Sequence, residues 1–224
     1  MKTLVIIPAF NEESNIFRIV TGVKAVLPDE TVLVVDDGSI DNTRILASNA
    51  GATVVSHAKN LGYGNTLKIG YRFAVGCNYD NVLQLDADGQ HDPKYLPAFL
   101  AALADSEVVI GSRFLEGPTY PIPFFRRQGM RLFSFLSNRM GVAITDTTSG
   151  YRAYSARAVL ACLSISWEYP DANLLVALHR RGMKIKEIPV RMFANREGKS
   201  MHSGLEPVRY VANVFLSILR ESMG

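Results

Sequence analysis

Short apolar, β-branched runs recur through the first half of the chain, at Thr3 to Ile7, Thr31 to Val35, Thr53 to Val55, Val82 to Leu85 and Val108 to Ile110. Each is bounded by polar residues, glycine or proline, which is the pattern of a strand buried on both faces. Between them the apolar positions recur with helical spacing over about Glu12 to Val26, Asn42 to Ala50, Gly64 to Cys77 and Pro93 to Leu103. Pro93 suits a first helical turn and Asp92 can cap it. Strand alternating with helix predicts an α/β fold, with a mainly parallel sheet covered by helices on both faces. Ligands on such a sheet bind at the carboxyl ends of the strands.

Beyond residue 111 the alternation fades. Pro118, Pro121 and Pro123 lead into a helical stretch from about Phe125 to Met140. At 100° per residue, Arg126, Arg127, Arg131, Ser134, Ser137 and Asn138 share one side of it. Phe125, Leu132, Phe133, Phe135, Leu136 and Met140 share the other. A last helix, about Pro207 to Glu221, repeats the design. Such stripes either pack on the sheet or lie in a membrane interface. The organisation expected is one domain over residues 1–204, followed by an amphipathic helix over 205–224 that packs on it or meets a membrane. No run reaches the roughly 18 to 20 apolar residues that span a bilayer, and Pro8 with Asn11, Glu12 and Glu13 ends the first apolar run too early for a signal peptide. Cys77 and Cys162 lack metal-site spacing, so a reducing compartment is implied.

Charge divides the chain. Residues 1–125 carry 9 Lys/Arg against 14 Asp/Glu, a net −5, and residues 126–224 carry 15 against 7, a net +8. A carboxylate-rich front suits a cation, and an Arg-rich back suits phosphate or an acidic membrane surface. The sharpest chemistry lies in Val82 to Pro93, where an apolar run delivers Asp86 and Asp88 into a turn. Alternate residues of an extended strand point the same way, so the two carboxylates can share one cation with Gln90 beside them. Oxygen ligands of this kind suit Mg²⁺ or Mn²⁺, which keep sites for water and substrate phosphate. The same spacing also serves turns and caps. Two further strand-to-helix turns carry polar residues, Pro8-Ala9-Phe10-Asn11-Glu12-Glu13 and Asp36-Asp37-Gly38-Ser39-Ile40-Asp41. Adjacent carboxylates repel, so retaining Asp36-Asp37 beside a buried strand suggests that one of them binds a ligand hydroxyl.

Taken in order, Pro8-Ala9-Phe10-Asn11-Glu12, Val35-Asp36-Asp37-Gly38-Ser39, Asn60-Leu61-Gly62, Asp86-Ala87-Asp88 with Gln90-His91, Gly111-Ser112-Arg113 and Asp146-Thr147-Thr148-Ser149-Gly150-Tyr151-Arg152 resemble the motifs of family 2 inverting glycosyltransferases. The resemblance covers nearly the whole chain and is closest to the branch that glycosylates dolichyl and bacterial polyprenyl phosphates. It implies a GT-A fold with a Rossmann-like sheet. It also implies that Pro8, Phe10, Glu12, Val35 and Asp37 line the nucleotide pocket, and that Asp86, Ala87 and Asp88 hold the diphosphate through Mg²⁺ or Mn²⁺, with Gln90 as a further ligand. Arg113 would meet a phosphate, Asp146 would orient or deprotonate the acceptor, and Arg126, Arg127 or Arg131 would receive an acceptor phosphate. Arg196 and Lys199 would close over the donor, although Met201 stands where the family usually has Lys.

The expected partners are thus a nucleotide-diphosphate sugar and a polyprenyl phosphate, met peripherally at the cytoplasmic face of a membrane, with a membrane-anchoring protein as an optional companion and no nucleic acid. Besides a non-catalytic nucleotide-binding module, which the intact metal carboxylates argue against, two other readings stay open. One is transfer to a hydroxyl acceptor, which needs a base; the other is nucleotidyl transfer to a sugar phosphate, for which an activating glycine-rich loop near the start is missing.

Overall fold

A computed structural model describes residues 1–117, 124–167, 170 and 172–193. The helix expected over 207–221, the segment 205–224 and the loop residues Arg196 and Lys199 lie outside the described residues. All five expected strands are present: β1 (Thr3–Ala9), β2 (Thr31–Asp36), β3 (Thr53–Ser56), β4 (Asn81–Gln84) and β5 (Val108–Ser112). So are the helices between them, α1 (Ile16–Val26), α2 (Thr43–Asn49), α3 (Tyr63–Gly76) and α4 (Leu96–Ala102), the last entered through a 3₁₀ turn at Pro93–Tyr95. Asp92 caps that turn by accepting from the Lys94 backbone N–H at 3.1 Å. Helix α1 starts later than its periodicity suggested, because the Glu12 carbonyl accepts from both Asn15 and Ile16 in a preceding turn.

The second half continues with α5 (Phe124–Arg139), β6 (Arg152–Ser155), α6 (Ala156–Ser164), α7 (Ala172–Arg180) and β7 (Ile185–Pro189). Among the described residues the sheet has the order β3-β2-β1-β4-β6-β5-β7, with β6 antiparallel to both its neighbours and every other pairing parallel. Sequence patterning predicted neither β6 nor β7. Arg-Ala-Tyr-Ser offers no apolar run, and β7 is an edge strand, with Lys186 and Pro189 exposed.

Strand alternation splits the core into two layers. Leu4, Ile6, Leu33, Val35, Val82, Val108 and Ile110 meet α3, α6 and α7 on one face. Val5, Ile7, Val32, Val34, Leu83 and Val109 meet α1, α2 and α4 on the other. Because β6 runs backwards, the turn before it reaches the same sheet edge as the carboxyl ends of its neighbours. That is how residues 146–151 join the strand-end motifs.

Helix α5 follows the face assignment made above only in part. Ser137 is buried and Phe135 exposed, with Met130 buried and Arg131, Asn138 and Arg139 exposed. The polar stripe is drawn toward the returning chain: the Ser134 hydroxyl donates to the Ile144 carbonyl at 2.6 Å and the Asn138 side chain accepts from Ile144 N–H at 3.0 Å. The side chains of Arg126 and Arg127 fall outside the described part of this helix.

Helix α3 approaches the sheet closely at Gly70, where a Cβ would stand 2.8 Å from Cγ2 of the fully buried Ile6. Alanine would gain about 1 kcal/mol of helix propensity, but overpacking against a stiff β-branched core residue costs roughly 1–3 kcal/mol. Gly70→Ala is therefore expected to lower stability by about 1 kcal/mol, read as a lower urea midpoint.

Candidate active site

The turns after β1 and β2 hold each other. Asn11, itself at φ 54°, donates its N–H to Ser39 Oγ at 2.9 Å and accepts from Ile40 N–H at 3.0 Å. Glu12 N–H reaches Thr43 Oγ1 at 2.8 Å, while Glu13 accepts from both the backbone and the side-chain amide of Asn42. The cap of α2 comes from Asp41, whose Oδ1 accepts from Thr43 N–H at 2.9 Å; Asn42 makes no side-chain cap. Asp36 and Asp37 are both buried. Asp36 closes its own turn by accepting from Ser39 N–H at 3.0 Å. Asp37 accepts from Leu61 N–H at 2.8 Å and Gly62 N–H at 2.9 Å. Asp37 thus clamps the 60–62 turn onto the end of β2, and Gly38 is required there: at φ 76°, its Cβ would lie 2.7 Å from the Lys59 carbonyl carbon.

Of the residues expected in the nucleotide pocket, Phe10 presents 44% of its surface at the β1 end and Glu12 is partly exposed. Pro8 and Val35 are buried in the strands, so they offer wall and backbone. Ala87 is likewise buried between the two aspartates.

Asp86 and Asp88 follow β4 and are both half-buried. Tyr63, at the start of α3, donates to Asp86 Oδ1 at 2.8 Å. Asp88 Oδ1 accepts from Gln90 N–H at 2.9 Å. Burial raises the pKa of Asp86, and burial followed by the charge of Asp86 raises that of Asp88. The Asp86 N–H donates to His91 Nδ1 at 2.9 Å, which uses the lone pair of that nitrogen and makes His91 a neutral acceptor. Its burial agrees, pushing the imidazole down to about 4, and the ring stacks on Tyr151 at 4.7 Å. The Gln90 side chain donates to the Phe193 carbonyl at 3.1 Å, while Phe193 N–H returns to the Gln90 carbonyl at 2.9 Å. The metal-turn candidate is thereby tied to the strand-like residues that precede position 194.

Arg113, at the end of β5, meets Asp146 in a bidentate pair, Nε to Oδ2 and Nη2 to Oδ1 both at 2.7 Å. Arg113 N–H also reaches Oδ2 at 3.1 Å, and Nη2 reaches Thr148 Oγ1 at 3.0 Å. The pair is deep, with Arg113 at 7% and Asp146 at 1% exposure. Glu187 on β7 supports it by accepting from Asp146 N–H at 2.7 Å and Thr145 N–H at 2.8 Å. Arg152 braces the same turn from below, donating to the Ser149 and Thr147 carbonyls at 2.7 and 2.9 Å. Gly150 then lies against the metal candidate: a Cβ would stand 2.8 Å from Asp86 Oδ2.

Three of the expected site residues, Asp86, Asp88 and Gln90, are therefore gathered on one turn, and Arg113 and Asp146 are joined beside it. Arg131 is exposed on α5 and makes no described contact with this cluster. Sequence reasoning missed Tyr63, Gln84 and Glu187. Only Glu187, a carboxylate before Pro189 in an alternating segment, left a trace in the pattern.

The strand order and helical layers are those of a GT-A glycosyltransferase. The chain superposes on glucosyl-3-phosphoglycerate synthase from Mycobacterium tuberculosis, crystallised with Mn²⁺, UDP and glucosyl-3-phosphoglycerate, with a TM-score of 0.70 at 20% identity, covering 97% of this chain and 78% of that one. A family model described as Glycosyl transferase family 2 matches residues 4–162, and the chain belongs to that family. It is 31% identical to an undecaprenyl-phosphate mannosyltransferase from Micrococcus luteus, covering 91% of this chain and 88% of the relative. It is 32% identical to a polyprenol monophosphomannose synthase from Mycolicibacterium smegmatis, covering 91% and 82%. The chain is thus a glycosyltransferase, as its ordered motifs implied.

Removing one partner of a buried ion pair typically costs 3–5 kcal/mol, because the other charge stays buried without compensation. Asp146→Ala is expected to lose about that much stability in denaturant unfolding, and adding Arg113→Met to it should recover part of the loss.

Proposed function

We propose that this chain transfers a sugar, with inversion, from a nucleotide-diphosphate sugar to a polyprenyl phosphate, with Mg²⁺ or Mn²⁺ at Asp86 and Asp88. The observation that carries the choice of acceptor is the Arg113–Asp146 pair. Both Asp146 oxygens are engaged by one guanidinium, an arrangement that orients Arg113 and leaves Asp146 poorly placed to take a proton. A hydroxyl acceptor needs a positioned base, whereas a phosphate oxygen is already anionic near neutral pH. The names of the two mannosyl-transferring relatives point the same way.

The donor set fits a hard divalent ion. Two partly exposed carboxylates crowd one strand end and are each raised by burial, a condition that a cation between them relieves. Two carboxylates would leave coordination positions to be filled by diphosphate oxygens and water. When bound, the ion supplies charge neutralisation to the departing nucleoside diphosphate. The residues of the chain do the rest. Phe10 and the Asp37-held turn receive the nucleoside, with Glu12 beside them. Arg113, its plane set by Asp146, holds phosphate with a fork of donors. One of Arg126, Arg127 and Arg131 receives the acceptor phosphate, and Arg196 and Lys199 serve the donor. Alignment of an anionic oxygen with the anomeric carbon then supplies most of the rate.

Membrane contact is peripheral in this reading, at the cytoplasmic face. No helix of the described residues is long and apolar enough to cross a membrane. The exposed face of α5 combines Phe135 with Arg131 and with Arg139, whose guanidinium lies over the Phe135 ring at 5.9 Å. Apolar and Arg side chains together suit an anionic interface, and residues 205–224 would extend that surface. A membrane-anchoring protein is an alternative occupant of it.

The test is an assay of the purified chain with a panel of nucleotide sugars and a polyprenyl phosphate. Release of nucleoside diphosphate with formation of glycolipid is expected. Transfer to hydroxyl acceptors alone would overturn the acceptor assignment, and pyrophosphate release would indicate nucleotidyl transfer. Flotation with anionic vesicles is expected to carry the chain upward.

Two carboxylates alone hold Mn²⁺ loosely, so Mn²⁺ affinity is expected to rise at least tenfold, about 1.4 kcal/mol, when a matching nucleoside diphosphate is present. Protons compete with the cation for Asp86 and Asp88, whose pKa values are both raised. Mn²⁺ binding should therefore weaken as pH falls, beginning above the range in which an ordinary carboxylate protonates; titrations at stepped pH measure both effects.

A further inference from the structure

Behind Asp86 lies a chain of buried polar groups that the chemistry above does not use. Gln84, the last residue of β4, is fully buried. Its Nε2 donates to the Gly150 carbonyl at 3.0 Å and to the Tyr63 hydroxyl at 3.3 Å, and its Oε1 accepts from the Tyr71 hydroxyl at 2.6 Å. Tyr63 in turn donates to Asp86 Oδ1 at 2.8 Å.

The direction of every proton in this chain follows from one group. A backbone carbonyl can only accept, so the Gly150 oxygen requires the nitrogen end of the Gln84 amide. That orientation turns Oε1 toward Tyr71, which must donate. The second amide hydrogen then points at the Tyr63 oxygen, so the Tyr63 proton has to leave in the other direction, toward Asp86. A hydroxyl taken alone could donate or accept; this one is held as a donor.

We propose that Tyr63 is a positioning residue for the metal site, held by Gln84 as an obligate donor to Asp86 Oδ1, so that the carboxylate presents Oδ2 to the cation. The proposal rests on the assignment of the metal to Asp86 and Asp88. Two features of the surroundings agree with it. Oδ2 lies against Gly150, where a Cβ would stand at 2.8 Å, so the carboxylate has little room to rotate. Pairing of Gln84 with Arg152 across β4 and β6 fixes the turn that carries the Gly150 carbonyl.

Tyr63→Phe removes one oxygen and keeps the ring, which also walls a cleft of about 210 Å³ with Leu61, Lys68 and Trp167. The measurement is Mn²⁺ binding followed by the resonance of the free ion, with GDP and with UDP in parallel, alongside the thermal midpoint. Loss of a hydrogen bond to a charged group predicts roughly tenfold weaker Mn²⁺ binding, with little change in the thermal midpoint without metal and with kcat largely restored at saturating Mn²⁺. Gln84→Glu replaces the only amide donors in the chain with acceptors and should weaken Mn²⁺ at least as much. Wild-type affinity in Tyr63→Phe, with Asp86→Asn defective, would overturn the role of Tyr63 and leave the metal assignment standing. Wild-type affinity in Asp86→Asn would overturn the metal assignment itself. A fall in thermal midpoint with unchanged Mn²⁺ affinity would reduce Tyr63 to a packing residue and also overturn the proposal.

Discussion

Pairing of β6 against β4 sets Arg152 opposite Gln84, and the geometry of the site depends on that register. Arg152 is a long cation sealed at 1% exposure, a costly placement unless its donors are met. They are met in part by the carbonyls of Thr147 and Ser149, which folds the preceding turn over the end of the strand. The same turn brings Gly150 against Asp86 and Asp146 against Arg113. A slip of one residue would exchange the faces of β6, putting Tyr154 and Arg152 on the wrong side of the sheet and dismantling both contacts together.

The site is built around two strand ends of different character. On the β4 side, Asp86 and Asp88 stand close enough for Asp86 to disfavour ionisation of Asp88, while Arg152 and Arg113 favour ionisation of Asp86. Burial is the larger cause in both cases, raising the pKa of each carboxylate. On the β5 side, Arg113 has its charge matched by Asp146 and its plane locked by two short bonds. Glu187 contributes by holding the Asp146 backbone from β7, so three strands converge on one pair.

The parts of this arrangement legible in the sequence were those carried by local patterns. Five strands and four helices announced themselves through apolar runs and periodicity, although β3, at the sheet edge, is part-exposed rather than buried, and the strand-end turns did so through clusters such as Asp36-Asp37-Gly38 and Asp86-Ala87-Asp88. The ordered motifs then named the fold. The antiparallel strand stayed hidden, because Arg152 looks like a surface residue until the register that buries it is known. Tyr63, Gln84 and Tyr71 were hidden for a related reason: each sits in an ordinary strand or helix, and their connection spans 13 to 23 residues of sequence. The polar face of α5 misled in the opposite direction. Ser134 and Asn138 look merely solvated by periodicity, yet their side chains satisfy the backbone of Ile144.

Engagement of Asp146 by Arg113 also bears on why one carboxylate near the reacting centre need not be a base. A base must be able to accept a proton when the acceptor arrives, and here that would require breaking two bonds of 2.7 Å in a buried pair. Leaving the guanidinium uncompensated would cost several kcal/mol, a burden placed on the very step that a base should ease. An acceptor that arrives already ionised avoids that cost, and it adds a negative charge that Arg113 can meet. The engagement of Asp146 by Arg113 is therefore in keeping with the proposed anionic acceptor, which needs no proton removed.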